Sequence, residues 1–276
     1  MSNLQMRIVS AVILAAVVLV ITWLGGLPFR LLAALIAAAI FYEWSRMARP
    51  ATGGELARGG FGFLPDALIL IFAVAIIIGL PALVLLGMAV AVVILLAALS
   101  ASRGHDQWSA AGFGYASLSG MSLAMLRGDD AAGLIAILFL FAVVWATDIF
   151  AYFVGRAVGG PKLAPAISPG KTQSGALGGM VAGVIAGVVL GVVAGLSDLW
   201  LLALVAALLS AVSQAGDLFE SWVKRRHGVK DSGWIIPGHG GVMDRVDGLV
   251  AAAFTLYLIG WALGDGDRPA LGLFAG

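Results

Sequence analysis

Apolar runs of about twenty residues return from one end of this chain to the other, and no other feature limits its possible folds as severely. A helix rises about 1.5 Å per residue, so such a run matches a hydrocarbon core about 30 Å thick. Without water in that core, every backbone N–H and C=O must be paired internally, which a helix does within each segment. The expected fold is therefore all-α: a polytopic integral membrane protein of about nine transmembrane helices. They are placed near 8–24, 28–47, 66–80, 81–100, 110–126, 131–155, 174–195, 197–217 and 243–263.

Composition agrees with lipid as the solvent. The chain is 61% hydrophobic and 11% charged, about half the charge of a soluble domain, and its mean hydropathy is +1.05. The first segment, IVSAVILAAVVLVITWLGG, is read as a retained anchor, with a cleaved signal as the alternative. Gly79-Leu80-Pro81 either turns the chain between the third and fourth spans or kinks one long broken helix. The fifth run, AGFGYASLSGMSLAML, is the most polar. Under this count only Arg30, Arg127 and Arg268 of the 16 Lys and Arg fall on one side. The excess marks the other side as cytoplasmic, with the amino terminus inside, and the compact length and Ala/Gly/Val richness point to a bacterial inner (cytoplasmic) membrane as the location. A net charge of +1 with no basic face argues against nucleic acid as a partner. The absence of cysteine removes disulfides, thiolate zinc sites and thiol nucleophiles.

Two regions follow: N-terminal transmembrane helices over 1–128, and a C-terminal region over 129–276 with cytoplasmic loops at 156–174 and 218–243. In the latter, Gly175, Gly179, Gly183, Gly187, Gly191 and Gly195 recur at every fourth position and make a smooth face for a neighbouring backbone. That neighbour is in the same chain or in a second copy; a homodimer is the open alternative.

Ionisable groups inside such helices cost about 2.5–3.5 kcal/mol on insertion scales, so each needs a partner or a purpose. Asp148, in LFAVVWATDIFAYFVGR, lies about two turns from the cytoplasmic end of its helix and shares a face with Tyr152. Asp217 closes the eighth span, and Ser221, Lys224 and Arg225 extend its face if the helix continues. Asp244 and Asp247, three apart, project together from the start of the ninth. Aspartates converging at one side, without cysteine or a histidine cluster, suit a hard cation such as magnesium, which usually partners substrate phosphates. Arg156, Lys162 and Lys171 in one loop, with Lys224, Arg225 and Lys230 in another, supply charge for those phosphates.

Plainer readings exist. Loop cations also arise from topology alone. Asp244 and Arg245 could cap a helix, His239 could be an ordinary loop residue, and His105 and His227 are read as solvated. SPGKT ends like a phosphate-binding Walker loop but lacks its first glycine, the position being Pro165, and neither HExxH nor GxSxG occurs.

The run from Ser221 to Asp247, SWVKRRHGVKDSGWIIPGHGGVMDRVD, resembles the signature of the phosphatidate cytidylyltransferases, or CDP-diacylglycerol synthases. WATDIFAYFVGR and ISPGKT resemble two further blocks of that family, so matching runs cover roughly 145 to 250. Ser174 stands where the family often has glutamate. The resemblance implies transfer of CMP from CTP to phosphatidate, giving CDP-diacylglycerol and pyrophosphate at the cytoplasmic face with magnesium, a second cation being left open. Within it, Asp217, Asp244, Asp247 and Asp148 become metal-site candidates, and Lys230 joins the first three as a catalytic candidate. Lys171, Lys224, Arg225, Lys230 and Arg245 become phosphate contacts, with Ser221, Tyr152 and His239 as further substrate contacts. Two rivals are a CTP-dependent polyprenol kinase and, from a different class, a cation-coupled transporter, which would bind near the midplane.

Overall fold

The computed structural model describes residues 3–48, 62–104, 106–235 and 240–275. Arg49, Arg58, His105 and His239 therefore lie outside the described residues, as do the side chains of residues 3–11, Arg7 included. Each of the nine expected segments corresponds to one helix: α1 (Asn3–Leu24), α2 (Gly26–Met47), α3 (Leu64–Ile78), α4 (Ala82–Ser102), α5 (Trp108–Arg127), α6 (Ala131–Val158), α7 (Gln173–Val193), α8 (Leu199–Arg226) and α9 (Met243–Leu263). A single turn, α10 (Leu271–Phe274), follows. Among the described residues six of these, α2, α4, α6, α7, α8 and α9, are long and apolar enough to cross a bilayer. Two shorter apolar helices run over Val12–Leu24 and Leu64–Ile78. The chain is a helical, multi-pass membrane protein.

Local chemistry explains the breaks. Gly79, at φ 75°, takes the left-handed conformation that ends α3, and its N–H returns to the carbonyls of Ala75 and Ile76. Pro81 then opens α4, so the sequence GLP is a turn between two helices and not a kink within one. The polar α5 buries Ser117, Ser119 and Ser122, whose hydroxyls donate to carbonyls three or four residues back, at Gly114, Tyr115 and Leu118. Their polarity is thus satisfied inside the helix. Asp130 and Asp198 cap α6 and α8 by accepting from Gly133 N at 2.8 Å and Leu201 N at 3.0 Å.

Two features depart from expectation. An antiparallel ribbon, β1 (Lys162–Ala164) and β2 (Ser168–Thr172), interrupts the all-α pattern, pairing Lys162 with Thr172 and Ala164 with Ser168. The segment SPGKT is strand β2 itself, and β1, at three residues, is too short to show the alternation by which strands are recognised. The second departure is the cytoplasmic segment drawn at 218–243, whose first part is helical because α8 runs on to Arg226. At 28 residues α8 measures about 42 Å, some 12 Å more than a hydrocarbon core, and its surplus carries Lys224, Arg225 and Arg226. His227 caps it and is half-buried, not a solvated loop residue.

The chain divides into two compact units: residues 1–124 with 231–245, and residues 125–230 with 246–276. In the first, α2 supplies the core, with Phe29, Ile40, Phe41 and Trp44 buried. Phe113 meets Phe41 and Phe72 edge-on, each at 6.0 Å, and Trp44 Nε1 donates to Trp108 O at 2.8 Å. In the second, α6, α7 and α8 pack together, with α10 against α6.

Candidate active site

The glycine face of α7 decides how closely two backbones approach in the second unit. A Cβ on Gly175 would lie 2.6 Å from Ala151 O and 3.1 Å from Gly155 Cα, and one on Gly179 would lie 2.6 Å from Thr147 O. At these two positions the neighbour is therefore α6 of the same chain, whereas Gly191 faces Leu199 and Leu202 of α8. Gly175, Gly179, Gly183, Gly187 and Gly191 are buried, but Gly195 lies beyond α7 with nothing within 4 Å of its Cβ position, so it is not part of that face.

At the end of this packed pair opens a cavity of about 680 Å³, within the usual size of a small-molecule site. Asp148, Tyr152 and Arg156 line it from one face of α6, at successive intervals of four residues. Lys162 and Lys171 enter from the ribbon, Gln214 and Asp217 from α8. The ribbon is held by three local bonds. Gln173 N donates to Pro161 O at 2.9 Å, Thr172 Oγ1 accepts from Gly175 N at 3.1 Å, and Ser174 Oγ donates to the carbonyl of Gly159. Ser174 thus ties the start of α7 to the end of α6.

Inside the cavity Lys171 Nζ forms an ion pair with Asp217 Oδ2, their side chains 29% and 34% exposed. Ser221 Oγ donates to Asp217 Oδ1 at 3.4 Å, and Arg156 Nη1 to Tyr152 OH at 2.9 Å. Asp148 lies within electrostatic reach of Asp217, Asp247 and Lys171, and Asp247 within reach of Asp217, Glu220 and Lys224. The structure thus brings together carboxylates from α6, α8 and α9. Glu220 is fully buried; its Oε2 accepts from Lys224 Nζ at 2.9 Å, while Oε1 has no donor among the described residues. Glu220 and Asp247 lie within electrostatic reach of each other, two carboxylates whose charges repel unless a cation stands near them. This oxygen-only set fits a hard divalent cation in kind. Among the described residues, however, no three acidic or histidine side chains already stand at ligand spacing.

The remaining candidates are not among the residues that line this cavity. Arg225 Nη1 donates to Val229 O at 3.0 Å, and Lys230 and Arg245 are exposed. Asp244 belongs to the first unit, where its Oδ2 accepts from Ser232 N and Gly241 N, both at 2.9 Å. Beside it is a residue the sequence reading passed over. Glu43, only 1% exposed on α2, accepts from Ser232 Oγ at 3.1 Å and from Val242 N and Met243 N, both at 2.8 Å. The insertion cost that singles out Asp148 applies equally to Glu43 within the run 28–47. Glu220, also passed over, stands three residues after Asp217 and four before Lys224, which is the spacing of one helix face.

Fold and site together define a class: a multi-pass helical membrane protein with a cation-lined, carboxylate-bearing cavity where α6, the β1–β2 ribbon and α8 meet. The profile of the cytidylyltransferase family matches residues 5–263. Proteins named phosphatidate cytidylyltransferase from Brucella suis biovar 1 (strain 1330) and Brucella melitensis biotype 1 (strain ATCC 23456) are each 47% identical to this chain and cover 100% of it and of themselves. One from Staphylococcus epidermidis (strain ATCC 12228) is 43% identical over 42% of this chain and 45% of its own. The chain belongs to the cytidylyltransferase family.

Proposed function

We infer that this protein transfers CMP from CTP to phosphatidate, releasing pyrophosphate and leaving CDP-diacylglycerol. The observation that carries this reading is the full-length identity of 47% to proteins named for that reaction. The cavity gives it a chemical basis. Phosphatidate's phosphomonoester, with a second pKa of ~6 by analogy with protein phosphomonoesters, is largely dianionic at neutral pH, so its oxygen needs no general base. That oxygen attacks the α-phosphorus of CTP; the new P–O bond forms as the bond to the bridging oxygen breaks, and that bond's electron pair leaves with pyrophosphate. The obstacle is the meeting of two anions. Lys171, Lys162 and Arg156 offset it at the cavity wall, and the Asp217 carboxylate holds the Lys171 ammonium in place. Asp217, Asp247, Glu220 and Asp148 would hold magnesium, which supplies charge neutralisation at the phosphates. Asp244 is assigned to the segment it ties together, and Lys230, Lys224, Arg225 and Arg245 to approaching phosphate or headgroup.

In this reading the nine expected spans, α1 to α9, cross the inner membrane, with the amino terminus and the cavity on the cytoplasmic side. The bias of Lys and Arg supports that orientation. CTP then arrives from water while the acyl chains stay in the bilayer. The test is incubation of the purified protein in lipid vesicles with labelled CTP, phosphatidate and magnesium. Equal yields of CDP-lipid and pyrophosphate are expected. Release of CDP would mark a lipid kinase instead, and substrate flux in sealed vesicles without nucleotide would mark a transporter.

A further inference from the structure

Glu43 is a buried carboxylate on a helix whose other buried residues are almost all apolar, and its position is explained by what it accepts. Val242 N and Met243 N are among the donors at the start of α9 that the helix itself leaves unpaired, and both donate to Glu43. Glu43 caps them from a different helix and takes Ser232 Oγ as well. Asp244 closes the same arrangement from the inside, accepting from Ser232 N and Gly241 N. The two ends of segment 232–243 are therefore tied to each other and to α2 by two carboxylates.

The glycines of this stretch have the same cause. A Cβ on Gly241 would stand 2.6 Å from Glu43 Oε2, and one on Gly233 would stand 2.8 Å from Glu43 Oε1. Only a residue without a side chain lets the backbone close on the carboxylate. Gly240, at φ 84°, adds a conformation that other residues rarely adopt.

We propose that Glu43 is a positioning residue for CMP transfer: by tying residues 232 and 241–243 together it sets the placement of Arg245, whose N–H donates to Val242 O at 3.0 Å, for phosphate binding, without touching substrate itself. The proposal rests on the functional reading above. Its test uses the full-length protein in lipid nanodiscs with three variants: Glu43→Gln, Gly241→Ala and the double variant. Glutamine keeps the shape but turns an NH₂ toward N–H donors, and alanine disturbs the same contact from the opposite side. Each single variant should raise the KM for CTP roughly tenfold with kcat changed less than about threefold, and the double variant should add little to either. Amide exchange at Val242 and Met243 should accelerate at least about tenfold, with exchange in α6 and α7 unchanged. An unchanged KM, a loss confined to kcat, additive effects, or acceleration spread over every helix would each overturn the proposal. If the wild-type protein forms no CDP-lipid, the functional reading falls; unaltered exchange at 242 and 243 would then separately dispose of the clamp.

Discussion

The same substitution at two positions of one glycine stripe should have different costs, and the structure says which is larger. A Cβ on Gly179 would meet Thr147 O at 2.6 Å and Ala151 Cβ at 3.0 Å, atoms fixed by the backbone of α6. A Cβ on Gly191 would meet Leu202 Cδ1 at 2.7 Å and Leu199 Cδ2 at 3.3 Å, the mobile ends of side chains. Alanine gains about 1 kcal/mol over glycine in a helix interior at either site, so that contribution cancels in the comparison. What remains is overpacking. At Gly179 it forces α7 away from α6 and costs about 1–3 kcal/mol; at Gly191 a leucine rotamer absorbs most of it. Gly179→Ala should therefore be less stable than Gly191→Ala by about 1–3 kcal/mol. Reversible unfolding in mixed micelles, followed by helical circular dichroism as the SDS fraction rises, measures the difference. Equal stabilities within about 0.5 kcal/mol would refute the claim that backbone approach dictates the stripe.

Other outcomes follow from the same geometry. Asp217→Asn removes the charge that holds Lys171, and Asp247→Asn the one facing Glu220; each should lower kcat/KM for CMP transfer at least about 100-fold while the helical spectrum is kept. Near-normal turnover in either variant would remove that residue from the site. A chelator should abolish transfer and added magnesium restore it, and activity that survives chelation would exclude the cation. At Asp130, partial burial opposes the charged form, but the Gly133 N–H and the Arg268 guanidinium outweigh it and hold the carboxyl below its ordinary value. Its contribution is thus complete above the unfolded aspartate pKa of about 3.9 and is lost as pH falls through the lower folded value. Asparagine keeps the cap and drops the charge, so the stability gap between wild type and Asp130→Asn should hold at neutral pH and close in acid. Parallel curves down to about pH 3 would contradict this.

Much of the fold was legible because it depends on neighbours in sequence. Apolar length and the helix-breaking residues Gly79 and Pro81 are local properties, set by solvent and backbone conformation. The candidates Asp148, Tyr152, Lys171 and Asp217 could be picked out for a similar reason: each is a polar group in or beside an apolar run, and all four line the cavity. The ribbon was not legible, since its three-residue strand β1 has no period to read and its pairing with β2 only exists once the chain has folded back.

The sequence alone settled that this chain lives in lipid, where its helices run, and which acids and bases are costly enough to need a reason. Tertiary structure alone decided who meets whom. Glu43 finds Ser232 and Met243 across 189 and 200 residues of chain, and Gly175 and Gly179 of α7 find α6. Burial cost is a property of one residue and its surroundings in sequence, whereas a hydrogen bond or a close backbone approach belongs to two segments at once. Such pairings are fixed only when three-dimensional packing sets the distance between them.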